Sequence, residues 1–381
     1  MTTITNKKIV ILGPAHPLRG GLAAFNERLA HELMLQGNEV SIETFSFQYP
    51  SFMFPGKTQF AEGAAPAGLR IRRSVHSMNP LNWLRIGAQL RKQAPDIIIV
   101  AFWLPLMGPS LGTVVKQAKK SGKTKVIGLI HNLIPHEKRP GDVPFTHYFV
   151  RQCDAFITLS QEVLDDLRRI TQKPAIFSPH PVYDNFGDAV PRQEAIKALH
   201  LDAGKKYLLF FGFIRGYKGL DLLLEAMADA RLRARNDVKL IIAGEFYEDR
   251  SKYDNLIAQH RLSDQLVLAT DFIPNEQVKY YFSAADAIVQ PYRTATQSGI
   301  SQMAYHFEKP MVVTNVGGLP EIVPDGKAGY VVAPEPAAIA DGILRLLDQG
   351  PASFSSFISE QKQRYSWRSF TLALGNLQDT Q

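Results

Sequence analysis

Short apolar runs and amphipathic stretches alternate along the chain. In the first half, buried strands are predicted at five places: Lys8–Gly13, Glu39–Phe45, Asp96–Phe102, Lys125–His131 and Ala155–Ser160. Amphipathic stretches between them, among them Ala23–Gln36 and Pro80–Gln93, have the apolar spacing of helices. Strands that are apolar throughout and alternate with helices are typical of a doubly wound parallel sheet.

The same alternation begins again in the second half. Around Ser178–Pro181 the pattern breaks into a polar, proline-containing stretch, and it resumes with further buried strands: Tyr207–Gly212, Val238–Gly244, Leu266–Phe272, Ala287–Gln290 and Pro310–Val313. With 381 residues, the chain is longer than a single hydrophobic core usually supports. We therefore predict two Rossmann-like domains, residues 1–184 and 185–364, followed by a terminal segment, residues 365–381.

The composition is that of a globular protein, with 45% apolar and 21% charged residues. The single cysteine, Cys153, excludes a disulfide within the chain and fits a reducing compartment. The N-terminus lacks the apolar segment and cleavage site of a signal peptide, and no run reaches the roughly 20 apolar residues of a membrane span. These features predict a cytoplasmic protein.

The positive charge is concentrated in the first half. Residues 1–184 contain 22 Lys and Arg against 13 Asp and Glu, whereas the remainder contains 21 against 23. Two interpretations fit: an ordinary solvated surface, or attraction to anionic lipid or a phosphate-bearing acceptor, since clustered bases gain about 1 kcal/mol each near such a membrane. Nucleic acid is not expected as a partner, because the sequence has no stacking-aromatic or helix-turn-helix pattern.

Two stretches of the first half bear on this choice. Phe45 to Phe60 holds six aromatic residues in a proline-containing segment, which predicts either a loop folded over its own rings or an exposed loop at an acceptor or interface. The predicted helix Pro80–Gln93 carries apolar side chains beside Arg85, Arg91 and Lys92. We expect it to pack on the core and to add to the basic face.

Strand ends in the first half suggest ligand-binding positions. The first strand leads into PAHPLRGG, which lacks the G-x-G-x-x-G spacing of a dinucleotide site, so an NAD-binding domain is disfavoured. Gly20 and Gly21 precede the first helix, either as a tight turn or as a place of close ligand approach. His131 ends its strand at the edge where open α/β sheets bind ligands, and a structural histidine is the alternative.

Glycine-bounded turns in the second half indicate a phosphate site. Gly212–Gly219 reads GFIRGYKG and places Arg215 and Lys218 at a strand-to-helix turn. Solvated loop charges are one interpretation, and two cations directed at a diphosphate are the other. Further on, Thr294–Gly299 reads TATQSG before the helical segment Ile300–Phe307, and a helix start beside a Ser-Gly turn attracts anions.

These motifs resemble those of the GT-B glycosyltransferases of the large retaining family 4. The matching pieces are Gly20-Gly21, His131, the block GFIRGYKGLDLLLEAM and the specific run KPMVVTNVGGLPEIVPDGKAGYVV. The resemblance covers nearly the whole chain and is strongest in the second half. It implies an α/β fold with two doubly wound Rossmann-like domains facing each other across a cleft. The segment from Tyr365 would form a helix that crosses back onto the first domain.

The resemblance also implies an activity and a role for individual residues. A sugar would pass from a nucleotide-diphosphate donor to an acceptor hydroxyl with retention, and no metal ion or other cofactor would be needed. Arg215 and Lys218 would hold the diphosphate, and His131 would meet the donor sugar. Further donor-binding positions would be Gly20, Gly21, Gly212, Phe272, Ile273, Pro274, Gln297, Ser298, Gly299, Ile300 and Gln302.

The chain departs from the family pattern at two positions. Members usually carry two glutamates with seven residues between them, and the corresponding residues here are Thr294 and Gln302. Gln302 can still hydrogen-bond a diol, and Gln297 can serve the sugar side. The donor sugar therefore stays open, and so do two rival functions, a nucleotide-sugar 2-epimerase and a non-catalytic sugar-nucleotide-binding subunit. Cell-surface polysaccharide or lipid-linked glycan synthesis, on a glycan or lipid-linked acceptor beside an anionic membrane, suits the basic first domain.

Overall fold

The computed structural model of the chain describes residues 3–49, 59–61, 64–133, 140–182, 184, 186–295 and 298–378. The chain forms two compact units, one made of Met1–His180 with Trp367–Gln381 and the other of Pro181–Ser366. The boundaries predicted from the sequence lie at residues 184/185 and 364/365.

The first unit is built on a seven-stranded parallel sheet. Its strands are β1 Lys8–Leu12, β2 Glu39–Phe47, β3 Arg70–His76, β4 Ile97–Phe102, β5 Lys125–Ile130, β6 Ala155–Thr158 and β7 Ala175–Phe177. The helices between them are α1 Gly21–Leu35, α2 Pro80–Gln93, α3 Gly108–Ala118, α4 Asp142–Gln152 and α5 Gln161–Arg168. The sheet order is β3-β2-β1-β4-β5-β6-β7, so the direction of winding reverses between β1 and β4. Ligands bind beyond the carboxyl ends of the strands at such a reversal.

The second unit repeats this plan with six parallel strands. They are β8 Lys206–Phe211, β9 Val238–Ala243, β10 Leu266–Ala269, β11 Ala287–Gln290, β12 Met311–Thr314 and β13 Gly329–Val332. Its helices are α6 Arg192–Ala198, α7 Leu220–Met227, α8 Ala230–Arg233, α9 Ser251–Gln259, α10 Asn275–Ala284, α11 Gly299–His306, α12 Leu319–Ile322, α13 Pro336–Gln349 and α14 Ser355–Arg364. The order β10-β9-β8-β11-β12-β13 puts the reversal between β8 and β11.

The last helix, α15 Trp367–Gln378, belongs to the core of the first unit. The Trp367 and Phe370 rings pack edge-on against Phe25 of α1, with centroids 4.9 and 5.6 Å away. Gln36 Nε2 donates a hydrogen bond to Thr371 Oγ1 at 2.6 Å. The chain thus returns to the first unit at its end, as the resemblance implies.

The edge strand β3 has no apolar run that would predict it. Its residues are RIRRSVH, and all but Val75 are at least partly exposed. Pairing with β2 holds it in the sheet, and arginines on an edge strand discourage pairing with another chain. The predicted strand Glu39–Phe45 continues to Phe47 across a bulge and pairs there with β3, so the prediction that a loop begins at Phe45 is wrong. Phe52 and Phe54 lie outside the described residues.

Helix α2 has the bounds that its pattern predicts. The Asn79 side chain accepts hydrogen bonds from the N–H groups of Leu81 and Asn82, and Pro80 takes the first helical position. One face of the helix, around Ile86, is buried against α3. Across the portions of the chain that the structure covers, no helix is both long enough and apolar enough to cross a bilayer.

Candidate functional site

The carboxyl end of β8 leads into the glycine-bounded loop Gly212–Gly219. Gly212 has φ +95° and Gly219 has φ +67°, a conformation that side chains rarely adopt. A Cβ at Gly219 would lie 2.0 Å from the carbonyl oxygen of Pro291, so only glycine permits this approach. The loop is therefore packed directly against the segment that follows β11.

Lys218 is a buried cation within this loop. Its exposed fraction is 9%, and no described residue forms an ion pair with its ammonium or accepts a hydrogen bond from it. Burial and, secondly, the charge of Arg215 lower the pKa of Lys218 from 10.5 to about 8. A Cβ at Gly212 would lie 3.0 Å from Lys218 Nζ and 3.6 Å from Ile300 Cδ1, so these three residues meet. A buried ammonium without a counter-ion favours an anionic ligand at this place.

Helix α11 begins next to Lys218, because the side chain of its second residue, Ile300, meets the ammonium near Gly212. Ser298 has the extended backbone of an N-cap residue, yet its side chain makes no bond to the helix; the hydroxyl donates to Gln290 Oε1 at 2.5 Å. Within the described part of the chain, nothing accepts a hydrogen bond from the N–H groups of Gly299 and Ile300. Open N–H groups at the positive end of a helix dipole bind anions.

Arg215 is held at the same edge by aromatic packing. Its guanidinium carbon lies 5.1 Å from the centroid of the Tyr247 ring, and the half-exposed ring of Phe213 lies 4.4 Å from Tyr247. The N–H of Gly216 donates to Glu248 Oε2 at 2.6 Å, which ties the loop to the segment after β9. No carboxylate of the described residues pairs with Arg215, so two unpaired cations and a helix N-terminus converge on one edge of the sheet.

Three of the predicted donor-binding residues follow β10. This strand ends at Ala269, earlier than predicted, so Phe272, Ile273 and Pro274 lie in the loop that leads into α10. Phe272 is 61% exposed. Because β10, β9 and β8 are consecutive in the sheet, this loop emerges from the same edge as Gly212–Gly219.

The departures from the family pattern occupy different environments. Thr294 is exposed, whereas Gln302 is 1% exposed, and both polar atoms of its amide lack a partner among the described residues. Gln297 lies outside the described residues. Burying an amide without a hydrogen bond costs free energy. Gln302 thus adds an amide without a described partner to the open N–H groups of Gly299 and Ile300 in α11.

In the first unit, His131 follows β5, which pairs with β4 one strand away from the reversal of the sheet. Its N–H donates to the carbonyl of Phe102, and its ring packs edge-on against Phe25 at 5.1 Å. The His180 ring also packs edge-on against Phe25, with ring centroids 4.9 Å apart. Burial and, secondly, the charge of His180 lower the pKa of His131 to about 3, so the imidazole is neutral at physiological pH. Its Nε2 is shielded and makes no hydrogen bond to a described residue.

Gly20 and Gly21 form the start of α1. Gly20 has φ +114°, and a Cβ there would meet nothing within 4 Å. No side chain caps the helix, and its first turn carries no acidic residue. The start of α1 therefore leaves room for a ligand. Both interpretations of Gly20 and Gly21, a tight turn and a place of close ligand approach, fit this geometry.

Several residues that support these groups escape sequence reasoning. They are His180, Tyr247, Glu248, Gln290 and Tyr292. The centroid of the Tyr292 ring lies 5.8 Å from the Lys218 ammonium. Gln290 carries a detectable signal, since it is a polar residue at the end of the apolar strand AIVQ and is only 1% exposed. No pattern marks Tyr247 or Glu248, because only the pairing of β8 with β9 brings them to the loop.

Comparison with known families covers both units. Residues 191–364 match the model described as glycosyl transferases group 1, and residues 19–182 match the model described as Glycosyltransferase Family 4.

Among curated relatives, an alpha-D-kanosaminyltransferase of Streptomyces kanamyceticus is 30% identical over 52% of this chain and 52% of its own length. A D-inositol 3-phosphate glycosyltransferase of Frankia alni is 32% identical over 46% of this chain and 44% of its own. The chain thus spans about half the length of these relatives. A glycosyltransferase of Methanocaldococcus jannaschii, itself uncharacterised, is 28% identical over 94% of this chain and 95% of its own.

Solved structures agree over the full length. A sucrose-phosphate synthase from Thermosynechococcus elongatus superposes with a TM-score of 0.71 at 19% identity, covering 97% of this chain and 98% of its own. Anabaena HepE in complex with UDP gives 0.72 at 16% identity, with the same coverage. At such identity these structures establish the fold alone. The family models, together with two parallel-sheet Rossmann-like units, show that the chain belongs to the glycosyl transferases of group 1, family 4, and has their GT-B fold.

Proposed function

We propose that this chain transfers a sugar from a nucleotide-diphosphate sugar to an acceptor hydroxyl. The observation that carries the proposal is the buried Lys218 ammonium, which no described residue pairs, beside the uncapped start of α11. A diphosphate at this edge would receive one cation from Lys218 and a second from Arg215. The N–H groups of Gly299 and Ile300 would complete its coordination.

The nucleotide is proposed to lie toward β10. Loops that follow β8, β9 and β10 share one edge, so a base beside Phe272, Ile273 and Pro274 would be continuous with a diphosphate at Lys218. HepE was solved with UDP and with UDP-glucose, which supports a nucleotide sugar as the ligand.

The proposed chemistry proceeds with retention on one face of the sugar. The bond between the anomeric carbon and the β-phosphate oxygen breaks as the acceptor oxygen attacks from the same side. The acceptor proton passes to the departing phosphate oxygen. Negative charge grows on that phosphate, where Lys218 and Arg215 stabilise it, and these two cations are proposed to serve without a metal ion. His131 is neutral, so a hydrogen bond from it to a sugar hydroxyl would add no charge.

An acceptor at an anionic membrane is the second part of the proposal. The side chains of Met78, Leu81 and Leu84 are 59%, 77% and 44% exposed at the start of α2, next to the exposed Arg85. Residues three or four apart share a helix face, so apolar groups and a base are presented together. Such a face can bind a lipid surface through burial and through charge, which suits a lipid-linked glycan as acceptor. The proposed location is the cytoplasmic side of a membrane.

A panel of nucleotide sugars incubated with a lipid extract tests the transferase proposal. Release of nucleoside diphosphate only when acceptor is present supports transfer. Turnover of UDP-GlcNAc without acceptor supports the 2-epimerase, and tight binding without turnover supports the non-catalytic subunit, which the uncharged Thr294 and Gln302 favour. Either of the latter results refutes the transferase.

Flotation with liposomes tests the membrane part. We expect binding to anionic but not to zwitterionic vesicles, and we expect it to weaken as salt rises. Leu81→Glu should reduce binding strongly. Leu35→Glu is the matched control, because Leu35 is a 69% exposed leucine on α1 of the same unit. Equal loss in both variants, or no binding at all, contradicts the proposed surface.

A further inference from the structure

A buried hydrogen-bonded cluster lies beneath the start of α11. Ser298 Oγ donates to Gln290 Oε1 at 2.5 Å, and Gln290 Nε2 donates to Ser301 Oγ at 3.0 Å. Gln290 is 1% exposed, Ser298 is 5% exposed and Ser301 is fully buried, so water does not compete for these bonds. The cluster holds the Ser298 hydroxyl in one direction.

That direction is unusual for a serine at an N-cap position. An N-cap hydroxyl ordinarily accepts a hydrogen bond from the N–H two or three residues on, here that of Ile300 or Ser301. The N–H of Ser301 instead reaches the carbonyl of Ser298 at 3.2 Å, and the N–H of Ile300 has no acceptor among the residues described. A hydroxyl that donates to Gln290 can still accept a hydrogen bond, so the effect is one of position: Gln290 holds Oγ away from the N–H of Ile300, which stays open.

Two polar groups independently indicate that a ligand belongs at this open end. The ammonium of Lys218 is nine-tenths buried, has no hydrogen bond or ion pair to a described residue, and lies 5.8 Å from the centroid of the Tyr292 ring. It meets the side chain of Ile300 near Gly212, whose Cβ position is 3.0 Å from the ammonium and 3.6 Å from Ile300 Cδ1. The amide of Gln302, in the first turns of α11, is also buried and makes no hydrogen bond to a described residue. The start of α11 therefore adjoins a buried cation, and both favour an anion at this place.

We propose that Gln290 is a positioning residue for the donor diphosphate. It diverts the Ser298 hydroxyl from α11, so that the helix start binds the ligand instead of its own side chain. Gln290 itself does not touch the ligand. The inference rests on the proposed function, because it requires a phosphate-bearing ligand at α11.

The test is a rescue experiment on nucleotide affinity. In Gln290→Met this anchor is lost, so Oγ can rotate to accept a hydrogen bond from the N–H of Ile300, and the ligand must then displace it. An N-cap bond contributes about 1 kcal/mol, so the dissociation constant of the nucleoside diphosphate should rise about fivefold. In the double variant with Ser298→Ala no competing cap exists, and the affinity should equal that of Ser298→Ala alone. Affinity is measured by calorimetry with UDP, GDP and ADP, and folding is followed by thermal unfolding.

Two comparisons keep the outcome interpretable. Gln265→Met removes another buried amide of the same unit, far along the chain from α11, and should leave affinity unchanged. The matching nucleoside, which lacks phosphates, should bind all variants equally. Unchanged diphosphate affinity in Gln290→Met, or a loss that Ser298→Ala does not restore, overturns the role of Gln290. If the unaltered chain binds none of the three diphosphates, the proposed function fails first and this inference with it.

Discussion

Lys218 should take up a proton when the donor binds. With a pKa of about 8, its amine is about half deprotonated at pH 8 and about one-tenth deprotonated at pH 7. A diphosphate beside the ammonium favours the charged form and moves the pKa back toward 10.5. Binding should therefore take up about half a proton at pH 8 and about a tenth of a proton at pH 7.

Calorimetry in buffers of different ionisation heat measures this uptake directly. The quantity of interest is the difference between the unaltered chain and Lys218→Met, because protons exchanged by the phosphates themselves cancel in it. Lys309→Met is the matched control, since Lys309 is another lysine of the second unit with a pKa lowered chiefly by burial. That variant should retain the full uptake.

The same lysine links stability to pH. Its pKa is lower in the folded state than in the unfolded state, so the unfolded chain binds more protons between about pH 8 and 10.5. Stability should rise across that window, and below pH 8 the buried ammonium costs about 3 kcal/mol. Lys218→Met removes this cost, so the second unit should unfold several degrees higher at pH 7.

Activity should change in the opposite direction. Lys218→Met loses a cation that acts where charge develops, which removes about 2–4 kcal/mol of transition-state stabilisation, or about 30- to 1,000-fold in rate. A variant that is less stable than the unaltered chain, with the same proton uptake and turnover, would refute the reasoning. A variant that is stabilised but turns over normally would refute the phosphate assignment alone.

Three further substitutions test the geometry around this site. Gly212→Ala should weaken nucleotide affinity about tenfold, because the new methyl, 3.0 Å from Lys218 Nζ, displaces the ammonium from the ligand. The strain of alanine at φ +95°, about 1–2 kcal/mol, should lower stability instead, and calorimetry that shows equal affinity contradicts the prediction. Gly317→Ala should destabilise the second unit by more than the about 1–2 kcal/mol that its positive φ costs, because its Cβ would lie 1.3 Å from the carbonyl oxygen of Ala295. A lower unfolding temperature would show this loss. Glu248→Ala should reduce affinity about fivefold by releasing the N–H of Gly216, whereas Glu248→Gln keeps that acceptor and most of the affinity.

Strand composition determines most of the fold. Runs such as IIIVAF in β4 are apolar at every position, which only a sheet covered on both faces accommodates, and their alternation with amphipathic helices predicts the parallel order. Elements without such runs escape prediction. β3 is held by its pairing with β2 rather than by its own residues, and α4 and α10 were not marked by the pattern.

The candidate site divides in the same way. Its cations and glycines are local signals, because a GFIRGYKG turn after an apolar strand presents Arg215 and Lys218 wherever that strand lies. Whether these residues are buried and paired is not determined by the neighbouring sequence. Lys218 is a buried, unpaired ammonium with a pKa near 8 only because β8 and β11 are neighbours in the sheet, which brings its loop against Pro291 and α11.

The sequence by itself therefore determined the parallel α/β architecture, the family and the residue types that bind phosphate. Tertiary structure decided which of those residues lose water, which remain unpaired and what holds them. The diversion of Ser298 by Gln290 is the clearest case, since residues eight positions apart meet only after β11 and α11 pack together. Desolvation and pairing depend on the distances between elements, and those distances are set when the sheet assembles.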